Sequence, residues 1–262
     1  MAIPFWKMHG AGNDFILVDD RNLGFPVTDP AFIRRICDRR RGVGSDGLLL
    51  IQPSAAENIK MRFFNPDGSP ADMCGNGARC LARLAFELGA APADMRIETA
   101  AGPVRAEVLP PLVRLYLTTP RDWRLNLQVP WQGREIPLHF VNSGVPHAVC
   151  PVADIAAVDV AAFGSFIRRH PLFQPQGTNA DFIQVTGPGS LAIRTYERGV
   201  EAETLACGTG IVAAALVAER LQLVRAPVHV KTAGGDVLEV GLQPLTLTGP
   251  AEHAFRGEIV YR

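Results

Sequence analysis

The sequence predicts a mixed α/β fold of two pseudo-symmetric domains, each a mostly antiparallel sheet wrapped around a central helix. Three observations carry this expectation. The stretch Asp72-Met73-Cys74-Gly75-Asn76-Gly77-Ala78-Arg79 sets a cysteine in a glycine-rich turn. Leu81, Leu84, Ala85 and Leu88 then fall on one helical face, and Gly89 suits a C′ stop. Leu205-Ala206-Cys207-Gly208-Thr209-Gly210 repeats the arrangement before Ile211 to Leu221, apolar nearly all round as a buried helix is. The third observation is register, because Cys207 lies 133 positions beyond Cys74. The same offset pairs Gly44 with Gly177, Gly75 with Gly208, Gly77 with Gly210 and Leu88 with Leu221. It also pairs Thr99, Ala100, Gly102 and Val104 with Thr232, Ala233, Gly235 and Val237. Chance accounts poorly for one ungapped register from Gly44 to Val237; an internal duplication accounts for it well.

The elements follow in chain order. Lys7 to Asp14 reads as a polar glycine loop before the apolar strand Phe15-Ile16-Leu17-Val18. Asn13 and Asp14 there could bond a ligand or close an Asx-turn, and the turn is the preferred reading. Asp29 to Arg41 reads as a helix with Thr28 or Asp29 as N-cap and Pro30 at N1, its arginine-rich end solvated and completing the dipole. Gly42-Val43-Gly44-Ser45-Asp46-Gly47 matches G-x-G-x-x-G, but a helix precedes it and the strand Leu48 to Ile51 follows. That is the reverse of a dinucleotide site. Met61 to Phe64 is a strand running into the turn Asn65-Pro66-Asp67-Gly68, and the first cysteine helix comes next. Arg96 to Thr99, Val104 to Val108 and Val113 to Leu117 are short strands.

Pro110, Pro111, Pro120 and Pro130 mark the crossing between halves, placed near Thr119. Val141 to Val149 is a strand broken by a Gly/Pro loop. Gly177 to Asp181 leads into the strand Phe182 to Val185, and Leu191 to Tyr196 is a strand ending at Glu197-Arg198-Gly199. The strand-like tail Gly257 to Tyr261 lies beyond the duplicated register. The expected domains are therefore 1–119, joined by a returning C-terminal strand in 250–262, and 120–249, with the active site in the cleft between them.

Composition narrows the class. A chain of 262 residues fits two domains of ordinary size, and 47% hydrophobic residues supply two cores. Lys+Arg and Asp+Glu both number 26, so no nucleic-acid partner is expected. The N-terminus lacks signal-peptide character and no run approaches a membrane span, so the expected compartment is the cytoplasm. Five cysteines, an odd number, do not form a disulfide framework in a chain this long.

Two thiols on two pseudo-symmetric halves have a chemical use. Inverting a stereocentre needs a base on one face of a carbon and an acid on the other. A thiol at a helix start sits among unpaired N–H groups near the positive dipole end, which favours its thiolate. Backbone N–H groups of Gly75, Asn76, Gly208 and Thr209 could stabilise a carboxylate-delocalised carbanion. The scheme requires neither pyridoxal phosphate nor a metal, and no metal-ligand spacing is present. Cys37, Cys80 and Cys150 read as small buried hydrophobes. A redox disulfide is a rival use of Cys74 and Cys207, though neither has a C-x-x-C context. His147 could polarise a substrate or be a satisfied structural histidine. Arg198 could fork onto a carboxylate or form a surface ion pair with Glu197, and Asn65 and Asn179 could serve turns or a ligand.

Lys7 to Val18, Phe64 to Gly68, Cys74 to Arg79, Gly144 to His147, Tyr196 to Gly199 and Ala206 to Gly210 together resemble the diaminopimelate epimerase family along essentially the whole chain. The two cysteine loops alone would also admit proline racemase-like relatives. The resemblance implies cofactor-independent interconversion of LL- and meso-diaminopimelate, a small amino-acid substrate, in lysine and cell-wall precursor synthesis, and commonly a homodimer. It implies Cys74 and Cys207 as the acid/base pair, supported by His147 and Glu197. Asn13, Asn65, Asn179, Glu197 and Arg198 would bind chiefly the distal end of the substrate. Gly75, Asn76, Gly208 and Thr209 would hold the reacting carboxylate. Some members carry Gln where Gly47 stands and Asn where Val145 stands, and Asn142 is a neighbour that could replace the latter.

Overall fold

The computed structural model describes residues 1–261. In chain order the elements are β1 (Ala2–Gly10), β2 (Asn13–Asp19), α1 (Pro30–Cys37), β3 (Gly47–Gln52), β4 (Ile59–Phe64), β5 (Pro70–Ala71), α2 (Gly75–Glu87), β6 (Asp94–Thr99), β7 (Gly102–Leu109) and β8 (Leu112–Tyr116). There follow β9 (Arg121–Trp131), β10 (Arg134–Asn142), β11 (Pro146–Pro151), α3 (Val160–Arg169), β12 (Asn179–Gly187), β13 (Ser190–Glu197) and β14 (Ala202–Thr204). The chain closes with α4 (Gly208–Arg220), β15 (Val228–Lys231), β16 (Val237–Leu242), β17 (Leu245–Pro250) and β18 (Glu252–Val260). It divides into two compact units, one of Met1–Tyr116 with the segment from Gly249 onward, the other Leu117–Thr248.

Each unit, taken by itself, repeats one pairing scheme. In the first, β18–β1, β1–β2, β3–β4, β4–β5, β6–β7 and β7–β8 are antiparallel, while β2–β3 and β4–β6 are parallel. In the second, β9–β10, β10–β11, β12–β13, β13–β14, β15–β16 and β16–β17 are antiparallel, while β11–β12 and β13–β15 are parallel. Helices α2 and α4 begin and end at the 133 offset. The strand β18 stands beside β1 as β9 stands beside β10. The duplication is thus visible strand for strand, in a mixed α/β fold whose sheets are mostly antiparallel.

The sequence explains why each sheet has helices on both faces. Gly47-Leu48-Leu49-Leu50-Ile51-Gln52 is buried throughout, as a strand covered on both sides must be. Helix α2 packs on β1, β2, β3, β7 and β8, and α4 on β10 to β13 with β15 and β16. On the other face of the first sheet, Ile16, Val18, Leu48 and Leu50 join Phe32, Ile33 and Ile36 of α1 in one core. The second sheet does the same with Ala148, Phe182 and Tyr196 against Val160, Phe163 and Ile167 of α3.

Two local expectations change, and strand β9 and helix α3 stand where no element was expected. Residues 2–10 form β1 rather than leading into a loop; the loop shrinks to Ala11 and Gly12, both at positive φ (54° and 81°), the requirement of a two-residue hairpin turn. Helix α1 ends at Cys37, not Arg41. Asp38 turns extended, and its carboxylate accepts the N–H groups of Arg40 and Arg41 at 2.8 and 2.7 Å, an Asx-turn that competes with further helix. Strand β9 begins just beyond the expected crossing near Thr119 and carries Pro130 next to its hairpin end. Helix α3 follows an N-cap, Asp159, that accepts from Ala162 N–H, and buries Val160, Phe163 and Ile167 at helical spacing.

Candidate active site

Cys74 is the N-cap of α2 and Cys207 the N-cap of α4, both with extended backbone (φ −140°, ψ 122° and φ −113°, ψ 109°). Each cysteine carbonyl accepts the first intrahelical bond, from Ala78 at 2.8 Å and Ile211 at 2.9 Å. Neither side chain caps its helix, so neither thiol is used in holding the helix start. All five cysteines are free thiols.

In the first unit the tight β1–β2 turn brings Asn13 to Cys74. The thiol donates to Asn13 Oδ1 at 3.6 Å, and Asn76 Nδ2 donates to the same oxygen at 3.2 Å. Asn13 Nδ2 donates to Asp46 Oδ2 at 2.7 Å, which fixes the amide with its oxygen toward the thiol. Behind Asn76 lies Arg79, fully buried, donating to Asn76 Oδ1 at 2.9 Å and to Pro250 C=O at 3.3 Å. Arg39 bonds both Asp14 and Asp46, and Lys7 bonds Asp14 and the Gly44 carbonyl. Burial opposes ionisation of Asp14, but the hydrogen bonds from Arg39 and Lys7 outweigh it and hold the carboxyl well below the usual range. Arg39, though exposed, therefore anchors the Asn13 loop and lies beyond the end of α1. Asn65 donates its amide to Ser69 within its own turn, at 3.1 Å.

In the second unit His147 and Asp181 are fully buried. His147 Nδ1 lies 2.7 Å from Asp181 Oδ2 and Nε2 lies 2.9 Å from Thr209 Oγ1. Thr195 donates to Asp181 Oδ1 at 2.8 Å, and Thr209 Oγ1 lies 3.5 Å from Cys207 Sγ. Asn179 accepts from Arg198 N–H at 2.8 Å and donates to Pro146 C=O at 2.9 Å. Arg198 donates to Gln176 C=O, and Glu197 accepts from Thr204. Burial pushes the Cys207 thiol up most, the charges of Glu197 and Asp181 push the same way, and bonds with Thr209 and the Gly210 N–H oppose them. The net direction is upward, opposite to the thiolate preference a helix start alone confers.

Asn13, Cys74 and Asn76 thus form one cluster, and His147, Asn179, Thr209 and Cys207 another. Sequence reasoning missed Asp46, Arg79, Asp181 and Thr195. A signal existed for the first, since Asp46 and Asn179 share the 133 offset, as do Asn65 and Arg198. Gly47 is closed to any side chain, because a Cβ would stand 2.5 Å from the Phe63 ring. Asn142 is engaged with Asp122 and with Gly144 N–H. Among the described residues no group of three or more His, Cys, Asp or Glu could hold a metal ion, and no helix is long and apolar enough to cross a membrane.

The fold is that of solved racemase-type and phenazine-biosynthesis proteins. A Bacillus anthracis phenazine biosynthesis protein of the PhzF family superposes with a TM-score of 0.72 at 17% identity, covering all of both chains. A probable proline racemase from Agrobacterium radiobacter gives 0.71 at 18%, covering 99% of this chain and 93% of the other. Sequence narrows the class further. The profile of the family described as Diaminopimelate epimerase matches residues 5–117 and 139–250. The diaminopimelate epimerase of Aquifex aeolicus is 44% identical, with 98% of each chain covered, and that of Chlorobaculum tepidum 43%, with 96% and 99% covered. The chain belongs to the diaminopimelate epimerase family.

Proposed function

We propose that this protein interconverts LL- and meso-diaminopimelate by moving one α-proton between two cysteines, in lysine and peptidoglycan precursor synthesis. The observation that carries the reading is the paired placement of Cys74 and Cys207 as N-caps of α2 and α4, in a member of this family. The reaction asks for the two sulfurs on opposite faces of one carbon. One thiolate removes the α-proton, the electron pair delocalises into the carboxylate, and the other thiol delivers a proton from the far side. Cys207, whose thiol burial pushes up, supplies the acid in the direction where Cys74 is the base.

General acid–base chemistry of this kind contributes roughly 10²–10⁴-fold. The backbone N–H groups of Gly75, Asn76, Gly208 and Thr209 stand at helix starts, where developing carboxylate charge is stabilised. Asn13, Asn65, Asn179, Glu197 and Arg198 are assigned to the distal amino-acid end, with His147 and Glu197 supporting proton movement. The scheme uses no cofactor, and the reading includes a cytoplasmic homodimer. Two experiments test it. Cys74→Ala and Cys207→Ala each abolish epimerisation, and turnover of LL-diaminopimelate carries solvent deuterium into the inverted α-carbon of the product, while proline takes up none. Full turnover by either variant overturns the two-thiol scheme; exchange into proline in preference overturns the substrate.

A further inference from the structure

The two thiols have different surroundings, and the difference is chemical. Position by position at the 133 offset, His147, Asp181, Thr195 and Thr209 correspond to Asp14, Leu48, Arg62 and Asn76. Beside Cys74 stands Asn13 Oδ1, an amide oxygen that accepts a hydrogen bond and does not take up a proton. Beside Cys207 stands a hydroxyl, then an imidazole, then a carboxylate.

The direction of each bond in that chain is fixed by its neighbours. Asn179 cannot be turned, because its oxygen accepts Arg198 N–H and its amide nitrogen donates to Pro146 C=O. That same nitrogen lies 3.5 Å from His147 Nε2, so a donor faces Nε2. On the other side of the ring, Asp181 Oδ1 is occupied by the Thr195 hydroxyl and Oδ2 faces Nδ1 at 2.7 Å. A donor at one nitrogen and an acceptor at the other select the neutral tautomer with hydrogen on Nδ1. Nε2 then carries a lone pair, to which the Thr209 hydroxyl at 2.9 Å, nearer than the Asn179 amide at 3.5 Å, donates, and the hydroxyl oxygen is left to accept the Cys207 S–H. Asp181, His147, Thr195 and Asn179 are all buried, which holds the order against competition from water.

We infer that Thr209 relays a proton between Cys207 and His147, with Asp181 and Asn179 as positioning residues that set the imidazole tautomer. The step balances within the chain. The S–H bond breaks and its electron pair stays on sulfur while a new O–H bond forms on Thr209. The original Thr209 O–H breaks as Nε2–H forms on His147. The products are a Cys207 thiolate and an imidazolium whose Nδ1–H faces the Asp181 carboxylate; the reverse step restores the thiol. Cys207 can therefore enter the reaction as base from inside its own unit, a route the residues at the corresponding positions around Cys74 do not provide. This inference rests on the epimerase reading for its rate consequences and stands apart from it in its tautomer.

The test has two arms on the full chain. Imidazole nitrogen-15 NMR of the ligand-free protein, which needs no substrate, should show His147 as the Nδ1–H tautomer and should lose that signature in Asp181→Asn. An Nε2–H tautomer in the unmodified protein overturns the relay whatever the substrate is. In the epimerase assay, Thr209→Val keeps the backbone N–H and shape but removes the hydroxyl. Its kcat should fall by about 10²-fold or more with KM changed by less than about threefold, and Thr209→Ser should recover to within about threefold of the unmodified enzyme. A Thr209→Val enzyme with undiminished kcat overturns the relay. Thermal unfolding of both variants separates loss of fold from loss of relay, and Thr209→Ser failing alongside Thr209→Val at unchanged stability also refutes it. Absence of epimerisation by the unmodified protein would count against the proposed function and leave the tautomer result standing.

Discussion

Gly210, in the first turn of α4, is where helix preference and buried packing pull in opposite directions. An alanine in a helix interior is favoured over glycine by about 1 kcal/mol. A Cβ at 210 would, however, stand 2.6 Å from Asp181 Oδ1 and 3.3 Å from both His147 Cε1 and Thr195 Oγ1. The carboxylate oxygen must retreat by about 0.8 Å to reach the 3.4 Å of ordinary contact. That movement breaks the 2.8 Å bond from Thr195 inside a buried site. Overpacking costs about 1–3 kcal/mol, and a lost hydrogen bond to a charged group about 1.5–3 kcal/mol. Against a gain of about 1 kcal/mol, Gly210→Ala should destabilise by roughly 2–4 kcal/mol. For a chain of this size that lowers Tm by roughly 5–15 °C.

Gly77 is the internal control. It occupies the equivalent turn of α2, and a Cβ there meets Leu49 Cδ1 at 3.0 Å and Phe15 Cζ at 3.4 Å. A leucine methyl can shift, so Gly77→Ala should change stability by less than about 1 kcal/mol. Circular dichroism melts of both variants, with epimerase assays on each, decide the matter. A Gly210→Ala protein that melts with Gly77→Ala and keeps its activity would show that the Asp181–Thr195 pair is not a rigid part of the site.

Asp46 is predicted to act through Asn13. Asp46→Ala removes the acceptor that orients the amide, and kcat should fall roughly tenfold to hundredfold, with Cys74 still present and titratable by thiol reagent; unchanged kcat would refute that role. Stability should be lost at both ends of the pH range, through groups shifted in opposite directions. Cys80 and Cys150 are pushed up to about 12 by burial, from 9.0, so the folded chain keeps protons that the unfolded chain releases above about pH 9. Their contribution is whole below that pH and falls as pH rises toward the folded values. The slope of Tm against pH above about 9 should be shallower in Cys150→Ala than in the unmodified protein. At the acid end Asp14 contributes fully above its ordinary value of 3.8, and less as pH falls toward its depressed folded value. Asp14→Asn should flatten that limb, and an unaltered acid limb would refute the assignment.

Much of this architecture can be read from residues because the duplication leaves marks where the backbone is most constrained. Gly75 and Gly77 recur as Gly208 and Gly210 at the two helix starts, whereas the left-handed C′ position is Gly89 (φ 63°) in one half and Gln222 (φ 59°) in the other. The buried run Leu48 to Ile51 announces a strand with both faces covered. The strand β1 is hidden because Lys7 and His9 look like solvent-facing loop residues. In the structure Lys7 is buried and tied to Asp14. The site is legible in the same uneven way. Cysteines announce themselves, whereas Asp181 and Thr195 act through contacts far apart in sequence and carry no local pattern. Arg79 is the extreme case, a charged side chain with no exposure in a helix read from its leucines.

Two thiols serving one carbon are the core of the proposed reaction, and deuterium labelling tests that most directly. LL-diaminopimelate incubated with the enzyme in D₂O, stopped at low conversion, should give meso product labelled at the inverted α-carbon. The remaining LL substrate should be almost unlabelled, since the proposed scheme assigns each face its own sulfur. Cys74→Ala and Cys207→Ala should give no meso product. Product that retains the original α-proton, or epimerisation persisting in either variant, would contradict the account.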